Sequence, residues 1–156
     1  MLKKTFILIL LLFLTACGYE AIHSKKNSVN YNFSITQLTF IGERGINLKI
    51  KQKLKNYTLA KKNKSFILKI SSSKEKTVVA KNMSGNPINF KSAIIVNVEV
   101  LIKDNYNNKL QLVESFNYNN IDNKFDLKRY EREIENNLAE TITDKLIFKL
   151  SNIQWY

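Results

Sequence analysis

Two side chains suited to nucleophilic or metal chemistry occur once each in the sequence, Cys17 and His23. A lone thiol and a lone imidazole cannot form a Cys/His metal site. The sequence also lacks a Gly-x-Ser-x-Gly elbow, and its four glycines form no phosphate-binding loop. Carboxylate pairs such as Glu131 with Glu135 are expected on the solvated face of a helix. We therefore predict no catalytic residues, no metal site and no enzymatic activity.

The residues before Cys17 indicate a different use for its thiol. Lys3 and Lys4 precede an apolar run over residues 6–14, which leads into Leu14-Thr15-Ala16-Cys17. This arrangement is typical of a secretory signal peptide, and the run is shorter than the ~20 residues that a membrane-spanning helix needs. Leu-Thr-Ala-Cys resembles the bacterial lipobox, in which diacylglycerol alkylates the cysteine thiol before cleavage. We predict cleavage after residue 16 and a covalent lipid on Cys17, S-diacylglycerol with an N-acyl group, and no other cofactor. The alternative is a free cysteine within an ordinary signal peptide.

Chain length and charge constrain the mature protein. Without residues 1–16, 140 of the 156 residues remain, the usual size of one domain. We divide them into a lipidated tether over residues 17–28 and a single domain over residues 29–156. The full chain carries a formal net charge of +12. In an exported protein this excess points toward membrane surfaces or phosphorylated glycolipids and away from nucleic acid, although surface lysines also simply keep a domain soluble.

The spacing of apolar residues predicts four strands and two helices in the domain. The order is β-α-β-β-β-α, which predicts an α+β fold, a two-layer sandwich with two helices packed on one face of a four-stranded, mainly antiparallel sheet. The predicted elements are a strand from Val29 to about Phe40, a helix over 46–57, a strand over 65–80 interrupted at 71–73, a hairpin tip at 82–87, a strand over 94–102, a turn at 104–108, a strand over 110–118 and a long helix after an N-cap at Asp126.

Two surfaces of this predicted sandwich are each compatible with more than one role. The first helix carries Lys49, Lys51, Lys53 and Lys55 beside a narrow apolar stripe, so it either covers the sheet, which we favour, or lies on a membrane. The second surface is the face of the sheet opposite the helices. Ile95, Leu101 and Val113 point there, so that face is available to a ligand or a partner.

With these elements in place, the chain resembles the lipopolysaccharide-assembly lipoproteins of the outer membrane, the LptE family. The similarity comprises the element order and two parts of the sequence. These are Leu14-Thr15-Ala16-Cys17-Gly18-Tyr19 at the start, and the end from Phe116-Asn117-Tyr118 through Leu138-Ala139-Glu140 to Lys149-Leu150. The resemblance implies a lipid-anchored, periplasm-facing protein of the outer membrane. Such a protein plugs the large β-barrel LptD, assists assembly of that barrel and binds lipopolysaccharide.

The resemblance also implies a set of lipopolysaccharide-binding residues. In the family these are basic residues near the hairpin between strands two and three and at the start of the last helix. They correspond here to Lys81, Lys91, Lys128 and Arg129. A lysine ammonium group would contact a lipid A phosphate as a point charge.

The sequence leaves two other functions open. A stand-alone periplasm-facing lipoprotein that binds a small ligand or inhibits a secreted enzyme would be a monomer with a closed pocket. A basic membrane-surface protein would bind anionic vesicles in a salt-dependent way without its acyl chains. A translocon plug, by contrast, would co-purify with an outer-membrane barrel and expose apolar surface that only the barrel covers.

Overall fold

The computed structural model describes residues 32–59, 61–102 and 106–153. The predicted signal peptide, the tether with Cys17, and residues 29–31 of the first predicted strand lie outside these ranges. Trp155 and Tyr156 also lie outside them. Neither of the helices formed by the described residues is long and apolar enough to cross a membrane.

Within the described residues the element order and the α+β fold class are as predicted. Four strands form one sheet in the order β1-β2-β3-β4; β1 pairs with β2 in parallel, and the other neighbours are antiparallel. The elements are β1 (Ser34–Gly42), α1 (Arg44–Leu59), β2 (Ser65–Lys81), β3 (Pro87–Ile102), β4 (Tyr106–Asn119) and α2 (Lys124–Asn152).

The β2–β3 hairpin extends well beyond β1, which reaches only Ser72 on β2. Residues 73–92 of this hairpin are called the hairpin arm. Its β3 strand also pairs with β4, from Asn89 onward. The three serines at 71–73, which interrupt the apolar pattern of the predicted strand, pair with β3 without a break. The irregularities of β2 lie further on, between Val78 and Lys81. The predicted tip is confirmed: Asn82 Oδ1 accepts hydrogen bonds from the backbone N–H groups of Ser84 and Asn86.

The two faces of the sheet differ because side chains alternate along each strand. Both helices cover one face, and the core lies between the layers. Ile95 and Leu101 are half-buried on the opposite face, and Val113 is 52% exposed there, so the prediction of a partly apolar open face is confirmed. The fully buried side chains of the core include Phe66, Leu68, Ile70, Ile94, Val96, Ile50, Leu54, Ile142, Leu146 and Leu150.

The helices pack on the sheet through stripes that the sequence predicts. In α1, Ile46, Ile50 and Leu54 recur at helical spacing and are buried. α1 therefore covers the sheet, which is the interpretation favoured from the sequence. The start of α2 differs from the prediction, because its N-cap is Asn123 and not Asp126. The Asn123 side chain accepts a hydrogen bond from the Phe125 N–H at 2.9 Å, which satisfies one of the unpaired donors of the first turn.

The end of the sheet opposite the hairpin arm is where the described chain begins, and we call it the entry end. The start of β1, the end of α1, the start of β2 and the end of α2 meet there. Ser34, expected on a polar face, is only 3% exposed, and its N–H donates to the Lys64 carbonyl at 2.7 Å. Lys64 Nζ donates in turn to the carbonyls of Ser151 (3.0 Å) and Ile153. A cation therefore satisfies carbonyls at the negative end of α2.

Candidate functional site

The four basic residues implied by the family resemblance lie at the end of the sheet that carries the hairpin arm, which we call the hairpin end. Lys81 is the last residue of β2, Lys91 lies on β3 opposite Thr77, and Lys128 and Arg129 lie near the start of α2. All four are exposed. The backbone N–H of Asn120 donates to the Ile88 carbonyl at 2.9 Å, which holds the start of the β4–α2 connection against the hairpin arm.

These four residues do not form one cluster. Lys91 pairs in register with Asn117 and shares the open face with Ile95, whereas Lys128 and Arg129 belong to the helix on the opposite face. Arg129 also pairs with Asp126 at 3.1 Å, so part of its charge is already compensated. The basic residues are therefore distributed around the hairpin end on both sides of the sheet, and their binding of lipopolysaccharide stays a prediction.

Apolar side chains are exposed at the same end. Val78 and Ile88 are each 46% exposed, Val79 is 53% exposed, and Met83 at the tip is fully exposed. Phe125, at the start of α2, is 68% exposed. Single exposed apolar residues are common, but their concentration at one end of the molecule is a feature of binding surfaces. In the sequence, Thr77-Val78-Val79-Ala80 predicts a strand, and its exposure follows from the structure, in which β1 ends opposite Ser72.

A layer of charged groups joins the hairpin arm to α2. Lys76 Nζ lies 2.5 Å from Glu131 Oε1 and 4.0 Å from the centroid of the Phe90 ring. Tyr118 Oη donates to the same Glu131 oxygen at 2.8 Å. Lys74 Nζ lies 3.0 Å from Glu135 Oε1. The expectation that Glu131 and Glu135 occupy a solvated face is therefore wrong, because two lysines of β2 reach across to them.

The electrostatics of this layer are those of a structural network. Burial and the hydrogen bond to Glu131 raise the pKa of the Tyr118 hydroxyl. Burial acts to raise the pKa of Glu131, but the hydrogen bonds from Lys76 and Tyr118 and the charges of Lys76 and Lys74 outweigh it, so the pKa is lowered. The hydrogen bond to Glu135 raises the pKa of Lys74. The charged forms of Glu131 and Lys74 are favoured at neutral pH, so the network fixes the arm against α2.

Replacing Glu131 with glutamine is expected to reduce the acid sensitivity of the fold. A carboxyl group with a lowered folded-state pKa contributes stability that is complete above its unfolded pKa, near 4.5, and is lost as the pH falls through the folded value. Glu131→Gln removes that contribution while keeping an acceptor for Tyr118. We therefore expect the variant to be less stable than the parent at pH 7, with the difference shrinking between pH 5 and 3 (roughly the window of carboxyl titration).

The measurement is urea unfolding of the detergent-solubilised protein, followed by circular dichroism at several pH values. Glu133→Gln is the matched control, because Glu133 is exposed on the same helix and makes no ion pair with the described residues. A Glu131→Gln curve parallel to that of the parent across the acid range would show that the network does not couple folding to protonation.

A shallow groove lies beside this network, between β4 and α2. Its volume is about 170 Å³, and it is lined by Phe116, Tyr130, Glu133, Ile134, Asn137 and Leu138. Pockets for drug-sized ligands usually measure about 300–1,000 Å³, so this groove accommodates a side chain better than a whole ligand. Among residues 32–59, 61–102 and 106–153, no group of three His, Cys, Asp or Glu side chains is placed to hold a metal ion.

The fold is an α+β sandwich that occurs in bacterial lipoproteins. Rare lipoprotein B from Shewanella oneidensis aligns with a TM-score of 0.56 and 12% identity, over 74% of this chain and 97% of that one. A minor lipoprotein from Acinetobacter baumannii aligns with a TM-score of 0.52 and 12% identity, over 76% and 92% of the two chains. Lipoprotein B from Nitrosomonas europaea gives a TM-score of 0.52 and 16% identity, over 76% and 83%.

Identity at this level establishes similarity of fold and nothing finer. No protein-family model matches the sequence, and no curated protein sequence matches it closely enough to be counted as a relative.

Proposed function

We propose that this protein is an outer-membrane lipoprotein of the lipopolysaccharide translocon, anchored by lipid on Cys17 and facing the periplasm. In this role it plugs the LptD β-barrel, assists assembly of that barrel and binds lipopolysaccharide for delivery to the outer leaflet. Two independent features support the proposal. The sequence contains Leu14-Thr15-Ala16-Cys17 after a signal peptide, and the domain beyond the tether has the fold of bacterial lipoproteins.

The hairpin end is the observation that carries the partner assignment. A subunit of a larger complex commonly carries an element whose exposed apolar side chains are covered by its partner. The hairpin arm is such an element, with Val78, Val79, Met83 and Ile88 exposed. The base of the arm contacts α2, because Lys74 and Lys76 pair with Glu135 and Glu131. Contacts that already order the arm before binding reduce the conformational entropy lost on binding.

The arrangement of charge also suits lipopolysaccharide. Lipid A combines phosphate groups with acyl chains, so a binding surface needs cations next to apolar side chains. Lys81 and Lys91 lie on the same strands as Val79 and Ile88. Lys128 and Arg129 lie across the sheet near the exposed Phe125. We propose that these four basic residues contact the phosphates.

The test is a detergent pull-down of C-terminally tagged full-length protein from its own membranes, with identification of the partner by mass. The Cys17→Ala variant is taken through the same procedure. We expect recovery of one large β-barrel in roughly equal amount with the parent protein, and lipid on the peptide that begins at Cys17. Recovery of the parent protein alone would contradict the translocon role and favour a stand-alone lipoprotein that binds a small ligand or inhibits a secreted enzyme.

Replacing Val79 and Met83 together with serine is expected to reduce barrel recovery about tenfold or more. The two apolar side chains would be buried by the barrel, and burial of each contributes about 1.5–3 kcal/mol. In the free protein both are exposed, at 53% and 109% of their reference areas, so the fold should be unaffected. Recovery is measured as the ratio of barrel to bait in the eluate.

Phe148→Ser is the matched control for this experiment. Phe148 is an equally apolar exposed residue, at 61%, but it lies on the last turns of α2 at the entry end. The Phe148→Ser variant should give a barrel-to-bait ratio close to that of the parent. Equal losses for the control and the hairpin variant would show that the hairpin arm is not the contact surface.

A further inference from the structure

The segment from Arg44 to Lys64 is strongly and uniformly basic. It contains eight Lys or Arg residues and no Asp or Glu. Two of these cations have internal partners: Lys53 pairs with Asp144 at 2.8 Å, and Lys64 binds the last carbonyls of α2. The other six, Arg44, Lys49, Lys51, Lys55, Lys61 and Lys62, form no ion pair with the described part of the chain.

Apolar residues lie among these cations on the outward side of α1. Leu48, Gln52, Lys55 and Leu59 are spaced by four, three and four residues, so they form one stripe opposite the buried Ile50 and Leu54. Leu48 is 53% exposed and Leu59 is 74% exposed. Lys51 flanks this stripe, and Lys61 and Lys62 continue beyond the helix end. We call Leu48, Lys51, Lys55, Leu59, Lys61 and Lys62 the α1 basic surface.

The α1 basic surface extends to the entry end, where the chain arrives from Cys17. The Ser34 N–H donates to the Lys64 carbonyl at 2.7 Å, and the Lys62 N–H donates to Ser34 Oγ at 3.4 Å. Cys17 precedes Asn32 by only 15 residues, a length that spans at most ~50 Å when fully extended. A lipid on Cys17 therefore keeps this end of the domain within reach of the bilayer.

We propose that the α1 basic surface rests on anionic phospholipid headgroups of the membrane that carries the anchor. The inference depends on the lipid anchor of the proposed function but not on the barrel partner. Lysines on an amphipathic helix extend their ammonium groups to the phosphates, while leucines between them enter the boundary with the acyl chains. This pairing of charge with apolar side chains favours a lipid surface over a purely polar polyanion. The contact of the α1 basic surface, added to the lipid anchor, holds the domain against the bilayer instead of leaving it at the end of its tether.

The lipid on Cys17 makes a simple fluorescence experiment possible. Cys17 is the only cysteine in the chain, so once it is lipidated Leu59→Cys provides a single thiol for an environment-sensitive fluorophore. Val113→Cys, 52% exposed on the open face of the sheet, provides the matched control position. Each mature lipidated protein is reconstituted into three kinds of vesicle: neutral phosphatidylcholine, phosphatidylcholine that carries lipopolysaccharide, and phosphatidylcholine with added phosphatidylglycerol. The emission maximum and the quenching by iodide are recorded at low and high salt.

We expect a blue shift and reduced quenching at position 59 in the anionic vesicles only. High salt should reverse both changes, because the Debye length falls from ~10 Å at 0.1 M to ~3 Å at 1 M. The label at position 113 should respond to neither lipid nor salt. Adding Lys51→Gln, Lys55→Gln and Lys61→Gln should return the position-59 signal to its value on neutral vesicles. Each lysine near an anionic surface changes the ratio of bound to unbound states about fivefold, so the three together change it about 100-fold.

The charge control is Lys109→Gln, Lys124→Gln and Arg132→Gln, which removes the same three charges from β4 and from the first half of α2. It should keep the blue shift. No shift at position 59, or equal loss in both triple variants, would overturn the proposal. A shift only on neutral vesicles that carry lipopolysaccharide would also overturn it. The mass of the purified protein reports lipid on Cys17 separately: a missing lipid contradicts the anchor, whereas a lipidated protein without the shift contradicts only the α1 contact.

Discussion

Replacing Gly42 with alanine is expected to lower the free energy of unfolding by about 3–5 kcal/mol, the sum of backbone strain and overpacking. Gly42 ends β1 with φ of +95°, a region that residues with a Cβ rarely adopt. A Cβ at this position would overlap the carbonyl oxygen of Ser72. Because that atom belongs to the backbone of a central strand, it cannot move aside as the end of a flexible side chain would.

Gly85→Ala separates the two contributions to this effect. Gly85 also has a positive φ, +82°, but no heavy atom lies within 4 Å of where its Cβ would be. Gly85→Ala should therefore lower the free energy of unfolding only by the backbone strain, about 1–2 kcal/mol. Urea unfolding of both variants in the same detergent, followed by circular dichroism, measures the difference. Equal losses would mean that β1 and β2 separate enough to accommodate the methyl group.

The position of Gly42 makes its effect more than local. Hydrogen bonds from the Glu43 N–H to the Ser72 carbonyl (3.2 Å) and from Ser72 Oγ to Asn47 Oδ1 (2.8 Å) join the β1–α1 corner to β2. Within the corner, Asn47 Nδ2 donates to the Ile41 carbonyl (3.1 Å). Ser72 is the last residue of β2 that pairs with β1. The hairpin arm starts immediately after it. Disruption of this corner would therefore also loosen the base of the arm that carries the proposed binding surface.

The elements that sequence reasoning predicted correctly are those whose signal is local. β3 alternates apolar residues without exception at 94, 96, 98 and 100, and all four are buried. α1 shows the same kind of agreement at Ile46, Ile50 and Leu54. In both elements the repeat of the backbone, two residues in a strand and 3.6 in a helix, decides which side chains reach the core. A pattern within a few residues is therefore enough to predict the element.

Two features that the sequence pattern could not decide have a shared physical cause, because each depends on a distant partner. Three consecutive serines at 71–73 have weak strand preference, yet they stay in β2 because β3 supplies a continuous ladder. Glu131 was expected in solvent, but it meets Lys76, which is 55 residues away in sequence. The cap of α2 is a closer case. Asn123 and Asp126 are both good capping residues three positions apart, and the sequence pattern alone could not choose between them.

For the candidate site, too, the sequence identified residues but not how distant elements place them. The family resemblance selected Lys81, Lys91, Lys128 and Arg129, and the structure places all four at the hairpin end. It also places Lys91 on the opposite face of the sheet from Lys128, which depends on strand register and could not be read from spacing. The exposed Val78 and Val79 were not selected, because their β-branched side chains suggested a buried strand. They are exposed because the strand continues beyond the layer that would cover it.

Truncating Leu146 to alanine is expected to lower the free energy of unfolding by about 3–5 kcal/mol, as a large-to-small change in a packed core does. Leu146 is fully buried in the second half of α2, one turn from the equally buried Ile142 and Leu150. The substitution removes buried apolar atoms and leaves a cavity between the helix and the sheet. A domain of this size is stable by only about 5–15 kcal/mol, so the loss is a large fraction of the total.

The matched control for Leu146→Ala lies two residues further along the same helix. Phe148 is 61% exposed on the outward side, and Phe148→Ala removes more atoms than Leu146→Ala while keeping good helix propensity. It should change the free energy of unfolding by no more than about 0.5 kcal/mol. If the two variants were equally destabilised in urea unfolding, side-chain size would matter more than burial, and α2 would not pack on the sheet through the face that carries Leu146. If only Leu146→Ala is destabilised, the entry end depends on the core contacts of α2, because Lys64 binds the carbonyls of Ser151 and Ile153, one and three residues after the buried Leu150.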